Sequence, residues 1–160
     1  MQVVRSPERC GKTADIFLAG SILDYKKQDE ARTFSFQDRT WREYIIENLS
    51  DINGLIFNPD RIYFPEIGSK EYFQQIDWER EYLRNSRLAV FWLSAKKPTS
   101  YASRVEIGFA IGLGIPIIIG IGKGFPGAEY LEAFLKTKPI QSLEELAEET
   151  KKRVVRIREG

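Results

Sequence analysis

The chain has 160 residues and a formal net charge of +1, with no histidine and a single cysteine, Cys10. The length suits one domain, and the interspersed charges exclude a broad basic field that would grip nucleic-acid phosphates, so a small-molecule partner is expected. Without histidine, and with one cysteine, a zinc site and an internal disulfide are excluded, and any catalysis must run on carboxylates, hydroxyls or backbone donors.

Residues 1–13 read as a polar, irregular segment, and Met1-Gln2-Val3-Val4-Arg5 lacks the apolar stretch of a secretory signal. With the lone cysteine, this predicts a cytoplasmic protein. Asp15-Ile16-Phe17-Leu18-Ala19-Gly20 is an apolar run ending in glycine and predicts the first strand. The polar stretch from Asp24 to Phe36 suits a surface loop or lid before a helix that starts near Asp38 and shares Trp41, Tyr44, Ile45 and Leu49 on one face. Leu55-Ile56-Phe57, stopped by Asn58-Pro59, predicts a second strand.

A long helix follows over Lys70 to Asn85, with Tyr72, Ile76, Glu79 and Leu83 at helical spacing, which puts Glu79 on or near its apolar face. Leu88 to Leu93 is a β-prone run, a helix begins near Ser103, and Ile115 to Ile119 is a further buried strand. The apolar stretch from Ile107 to Ile121 is too short to span a bilayer and is broken by Gly112, Gly114 and Pro116. Two amphipathic helices follow Pro126, the last opening on the capping-box pattern Ser142 to Glu145. The alternation predicts a single-domain Rossmann-like or flavodoxin-like α/β fold, a parallel sheet of about five strands with helices on both faces and ligands at the strands' carboxyl ends.

Gly11-Lys12-Thr13 resembles the tail of a phosphate-binding loop, but Ser6 stands where that motif needs glycine, and the strand follows it rather than precedes it. Gly120-Ile121-Gly122-Lys123-Gly124 lacks the spacing and the downstream acid of a dinucleotide fingerprint and reads as a strand-end loop. No cofactor is expected. Three places at predicted strand ends concentrate polar groups that packing does not require. Gly20-Ser21 offers close backbone approach, a hydroxyl and an amide for an anionic or sugar oxygen. Glu79, beside Trp78, is expected to be desolvated, with a raised pKa, unless it is an exposed helix-surface partner of Arg80. Glu106 fits two readings. In one, Ser103-Arg104-Val105-Glu106 is a capping box; in the other, the carboxylate faces the crevice, held ionised by the helix dipole as a nucleophile.

These positions resemble the nucleoside 2-deoxyribosyltransferase family, in its transferase-like branch. The resemblance runs through Phe17-Leu18-Ala19-Gly20-Ser21-Ile22, Trp41-Arg42, Asn58-Pro59, Gln75 through Trp78-Glu79, the strand Leu88 to Trp92, Glu106-Ile107-Gly108 and Gly114. It implies that Glu106 attacks the anomeric carbon of a nucleoside, and that Glu79, with Asp77 as a lesser substitute, orients the sugar or protonates the leaving base. Water or a second base then resolves the glycosyl ester. Phe17, Tyr25 or Trp92 would flank the base. Six residues before the nucleophile, relatives acting on free nucleosides carry aspartate, whereas the related nucleoside 5′-monophosphate N-hydrolases carry serine; here the residue is Ser100. A serine can donate to a phosphate that an aspartate would repel, and Ser21 matches a second phosphate-binding serine, with Lys26 or Lys27 in place of its accompanying arginine. The resemblance also implies a homodimer or higher homo-oligomer, for which Tyr63, Phe64 and Tyr72 are candidate contacts. Two further readings remain open: cleavage of the nicotinamide glycosidic bond of NAD, and a nucleotide sensor without turnover.

Overall fold

The structure, a computed structural model, describes residues 1–21, 36–61, 65–95 and 100–160, and the backbone alone at 36–40. In chain order its elements are β1 (Gln2–Arg5), β2 (Ile16–Gly20), α1 (Phe36–Asn48), β3 (Leu55–Asn58), α2 (Lys70–Arg84), β4 (Ala89–Leu93), α3 (Tyr101–Gly112), β5 (Ile117–Ile121), α4 (Ala128–Leu135) and α5 (Leu143–Glu159). The strands form one parallel sheet in the order β1-β3-β2-β4-β5. Beyond β5, Ile140 adds a single parallel bridge to Gly120. From β3 to Ile140 the order is that of a flavodoxin-like sheet, as the alternation of elements predicted, and β1 is an addition at the opposite edge.

β1 corrects the reading of residues 1–13 as irregular. It has only two apolar residues, Val3 and Val4, too few to signal a strand alone; the exposed edge of β3 supplies its partner, in register from Gln2 on Leu55 to Arg5 on Asn58. The other strands follow their apolar runs because both sheet faces are covered. Side-chain alternation sends Phe17, Ala19, Phe57, Phe91 and Leu93 to the face under α2 and α3, with Trp78, Tyr82 and Ile107. Ile16, Leu18, Ile56, Val90, Trp92 and Ile118 go to the other, with Trp41, Ile45, Leu146 and Val154 of α1 and α5.

The buried face of α2 is Gln75, Trp78, Glu79, Tyr82 and Leu83. Glu79 and Leu83 fall where the spacing predicted, but Ile76 is exposed, because the stacked rings of Trp78 and Tyr82, 4.3 Å apart, set which side faces the sheet. α3 ends in a Schellman motif, in which Gly114 (φ +71°) donates to Ile111 O and Ile115 to Ala110 O. Ile115 is thereby consumed by the helix end and Pro116 has no N–H to give, so β5 begins two residues later than the expected Ile115. At α5, Ser142 accepts from the Glu145 N–H at 3.1 Å, as its pattern predicted. The polar stretch 24–36 falls outside the described residues except for Phe36, where α1 opens.

Where β2 lies between β3 and β4, the chain leaves the sheet in opposite directions, so the carboxyl ends of β2 and β4 form the switch point at which such sheets bind ligands. The faces meet tightly nearby. A Cβ added to Gly120 would stand 2.6 Å from Trp92 Cε3 and 3.0 Å from Leu146 Cδ2. Gly120→Ala is therefore expected to lower stability by about 1–3 kcal/mol, read as a lower urea midpoint; an unchanged midpoint would show that Trp92 is free to yield.

Candidate active site

β2 ends at Gly20, whose φ of +118° turns the backbone out of the strand; a Cβ there would meet Trp92 O at 2.4 Å, so only glycine fits. The turn delivers Ser21 between the ends of β2 and β4. Its N–H donates to Trp92 O at 3.1 Å, its hydroxyl accepts from the Ser94 N–H at 3.2 Å, and its Oγ lies 3.5 Å from that of Ser100. Ser100 caps α3 in a left-handed conformation (φ 33°) and makes no side-chain cap; a non-glycine residue there stores about 1–3 kcal/mol of strain.

Arg42 of α1 is buried and lies across this strand end. Its guanidinium donates to Ser21 O at 3.0 Å, Gly20 O at 3.1 Å and Leu18 O at 3.4 Å, and it stacks on the Trp41 ring at 4.4 Å. From the opposite face α2 presents Glu79, 7% exposed, whose Oε1 accepts from Gln75 Nε2 at 2.7 Å. Burial raises the Glu79 pKa, against the lowering effect of the Gln75 hydrogen bond and of the Arg42 and Arg61 charges. α3 presents Glu106, half-buried. Its pKa is pushed up to about 8, chiefly by desolvation and next by the Glu79 charge, with Arg42 and a hydrogen bond from the Gly20 backbone opposing.

Two acids thus meet beside one arginine. The exposed-partner alternative for Glu79 is ruled out by its burial. The capping-box reading of Glu106 fails as well: α3 starts at Tyr101 and Ser103 is buried within its first turn. Glu106 therefore sits beyond that turn, out of reach of the helix terminus that was expected to hold it ionised, and desolvation governs it instead. Asp77 is exposed, on the side of α2 away from the sheet. Phe17 and Trp92 are core residues: Phe17 is wholly buried against Trp78, with ring centres 6.3 Å apart, and Trp92 lies under α1 and α5. Tyr25, Lys26, Lys27, Tyr63 and Phe64 lie outside the described residues, and Tyr72 is half-buried. The glycine loop after β5 does reach the site's rim, where Gly122 N–H donates to Leu93 O at 2.9 Å.

Sequence reasoning assigned no role to Arg42 or Gln75, although both stand in the segments that carry the resemblance. A polar residue at a core position of an amphipathic helix was the available signal. Two cavities lie away from these acids, one of about 360 Å³ at the amino ends of the strands, by Asp15 and Arg158, and one of about 720 Å³ along the outer edge of β5. Neither is lined by Glu79 or Glu106. Among the described residues there is no cluster of metal-ligating side chains and no helix long and apolar enough to cross a membrane.

A parallel α/β domain with paired acids and clustered hydroxyls at its switch point has the form of a small-molecule site. Residues 13–125, well over half of the chain, match the family model described as nucleoside 2-deoxyribosyltransferase like, and the chain belongs to that family. Its general role is accordingly nucleoside 2-deoxyribosyltransferase-like. Comparison with curated proteins finds no match.

The raised pKa of Glu106 has a consequence for folding. Between its ordinary 4.5 and about 8 the folded protein keeps a proton that the unfolded chain has released, so this group's contribution to stability is fully present below about 4.5 and is lost as pH rises through about 8. Glu106→Gln removes the titration. Its melting temperature is expected to exceed that of the parent most above pH 8 and to converge with it towards about pH 4; a gap independent of pH would contradict the assignment.

Proposed function

We propose that the protein cleaves the N-glycosidic bond of a nucleoside or, more specifically, a nucleoside 5′-monophosphate, with Glu106 as nucleophile and Glu79 as acid. The observation that carries this reading is the pair itself, two carboxyls from different helices brought together at the switch point, each with its pKa raised chiefly by burial. In the productive state the proton that Glu106 holds at rest has passed to Glu79, which leaves Glu106 ionised for attack. A Glu106 oxygen attacks the anomeric carbon, the carbon–nitrogen bond breaks, and its electron pair leaves with the base, which takes the Glu79 proton. The resulting glycosyl ester is opened by water, or by a second base, on the opposite stroke. Arg42 offsets the negative charge of the pair before attack and of Glu79 after it.

The Ser21 and Ser100 hydroxyls, 3.5 Å apart, support a phosphate-bearing substrate, because both can donate to its oxygens where an aspartate would repel them. No metal or organic cofactor enters the proposal, and the partner is a small molecule.

Glu106→Ala is expected to abolish release of free base while leaving the protein folded, and Glu79→Gln to slow it by about 10²–10⁴-fold, both read by chromatography of the base. The rate should fall as pH rises through about 8, where the pair loses its last proton. Full activity in Glu106→Ala removes it from the mechanism. A panel of nucleosides, nucleotides and NAD identifies the bond; ligands that raise the melting temperature without any base appearing would instead make the protein a sensor.

Ser100→Asp is expected to lower kcat/KM for a monophosphate relative to its nucleoside. An unchanged ratio would place the phosphate elsewhere.

A further inference from the structure

Behind Glu79 runs a hydrogen-bond chain of fixed direction. Arg61 Nε donates to Ser6 Oγ at 3.0 Å, Ser6 Oγ donates to Gln75 Oε1, and Gln75 Nε2 donates to Pro59 O at 3.0 Å and to Glu79 Oε1 at 2.7 Å. Both ends force this polarity. A guanidinium has no acceptor, so it fills the Ser6 oxygen and leaves the hydroxyl hydrogen for Gln75. A prolyl carbonyl has no donor, so the end of Gln75 that faces it is the NH₂. A flipped Gln75 would set its oxygen against two acceptors in a fully buried position, the costliest kind of mismatch.

We propose that Arg61, Ser6 and Gln75 are positioning residues that commit Glu79 Oε1 to accepting, so that the proton passed to the departing base rides on Oε2. The proposal rests on the reading of Glu79 as the acid. Because the amide nitrogen only donates, a proton on Oε1 would face another N–H and displace the bond, whereas Oε2 has no partner in this chain of contacts. The relay also ties the acid to a part of the molecule outside the family match, which begins at residue 13. Ser6 follows β1 and is pinned by its own N–H to Asn58 O at 3.2 Å. The edge strand that pairs with β3 thus delivers a hydroxyl to the back of the site.

Ser6→Ala breaks the relay at its middle without touching the substrate side, Gln75→Leu removes the last donor, and Ser6→Thr keeps the hydroxyl. Two readouts apply: the titration of the Glu79 carboxyl, followed by NMR of carbon-13-labelled glutamate and assigned by its loss in Glu79→Gln, and steady-state kinetics on a nucleoside monophosphate. The expected result is an upward shift of the Glu79 midpoint in both breaking variants and a fall in kcat of about ten- to a hundredfold with KM nearly unchanged, both restored in Ser6→Thr. A midpoint and a kcat that do not move in folded Ser6→Ala overturn the relay. Should Gln75→Leu fail to fold, Ser6→Ala carries the test. A shifted midpoint in a protein that releases no base from any substrate supports the relay and removes the acid role instead, so the two failures are distinct.

Discussion

A guanidinium that cannot give up its proton lies beside two carboxyls that can, and the rest of the site is arranged around that difference. Arg42 is held by three carbonyls at the end of β2, so its charge is placed by backbone and not by a mobile side chain. Ionising either carboxyl is costly where burial strips it of water, and Arg42 is placed to offset part of that cost for both. Burial opposes ionisation of both carboxyls, and the positive charges of Arg42 and Arg61 offset that only in part. The raised pKa values are the expression of this cost.

The sheet supplies the remaining precision. Gly20 bends the chain at the one point where Trp92 O leaves no room for a side chain, and the same bend brings its own N–H to Glu106 and its carbonyl to Arg42. Ser100 accepts a strained backbone opposite Ser21. Strain and close approach therefore coincide at the switch point, while the core beneath is continuous hydrophobic packing on both faces.

Much of this was legible in the sequence. β2, β3 and β4 are apolar runs because both their faces are covered, and a strand covered on both sides leaves an unambiguous signal. Glu79 beside Trp78 was expected to be desolvated unless it was an exposed partner of Arg80, and the structure buries it. Other features depended on neighbours distant along the chain. β1 exists because β3 offers an edge. The environment of Glu106 is decided by burial and by Glu79 on another helix, which spacing within α3 cannot reveal, so the local capping pattern was misleading. Trp92 and Phe91 differ by one residue and face opposite ways; the β-prone run located the strand but not the phase that sends the indole into the core. The contacts of Gln75 draw on Ser6, Pro59 and Glu79, which come from three separate stretches of chain.

The last helix has a bearing on what counts as this protein's unit of folding. α5 lies wholly beyond the segment that matches the family, yet Leu146 and Val154 are completely buried in the layer beneath which Trp92 and Ile118 lie. Arg158 reaches back 3.0 Å to the buried carboxylate of Asp15 at the foot of β2, and Lys151 reaches Asp51. A fragment trimmed to the inherited region would keep α1 on that side of the sheet but expose the part that α5 covers, and would leave Asp15 without its cation. Shared ancestry and autonomous stability thus have different boundaries in this molecule, with the peripheral helix acting as a keel for the inherited sheet.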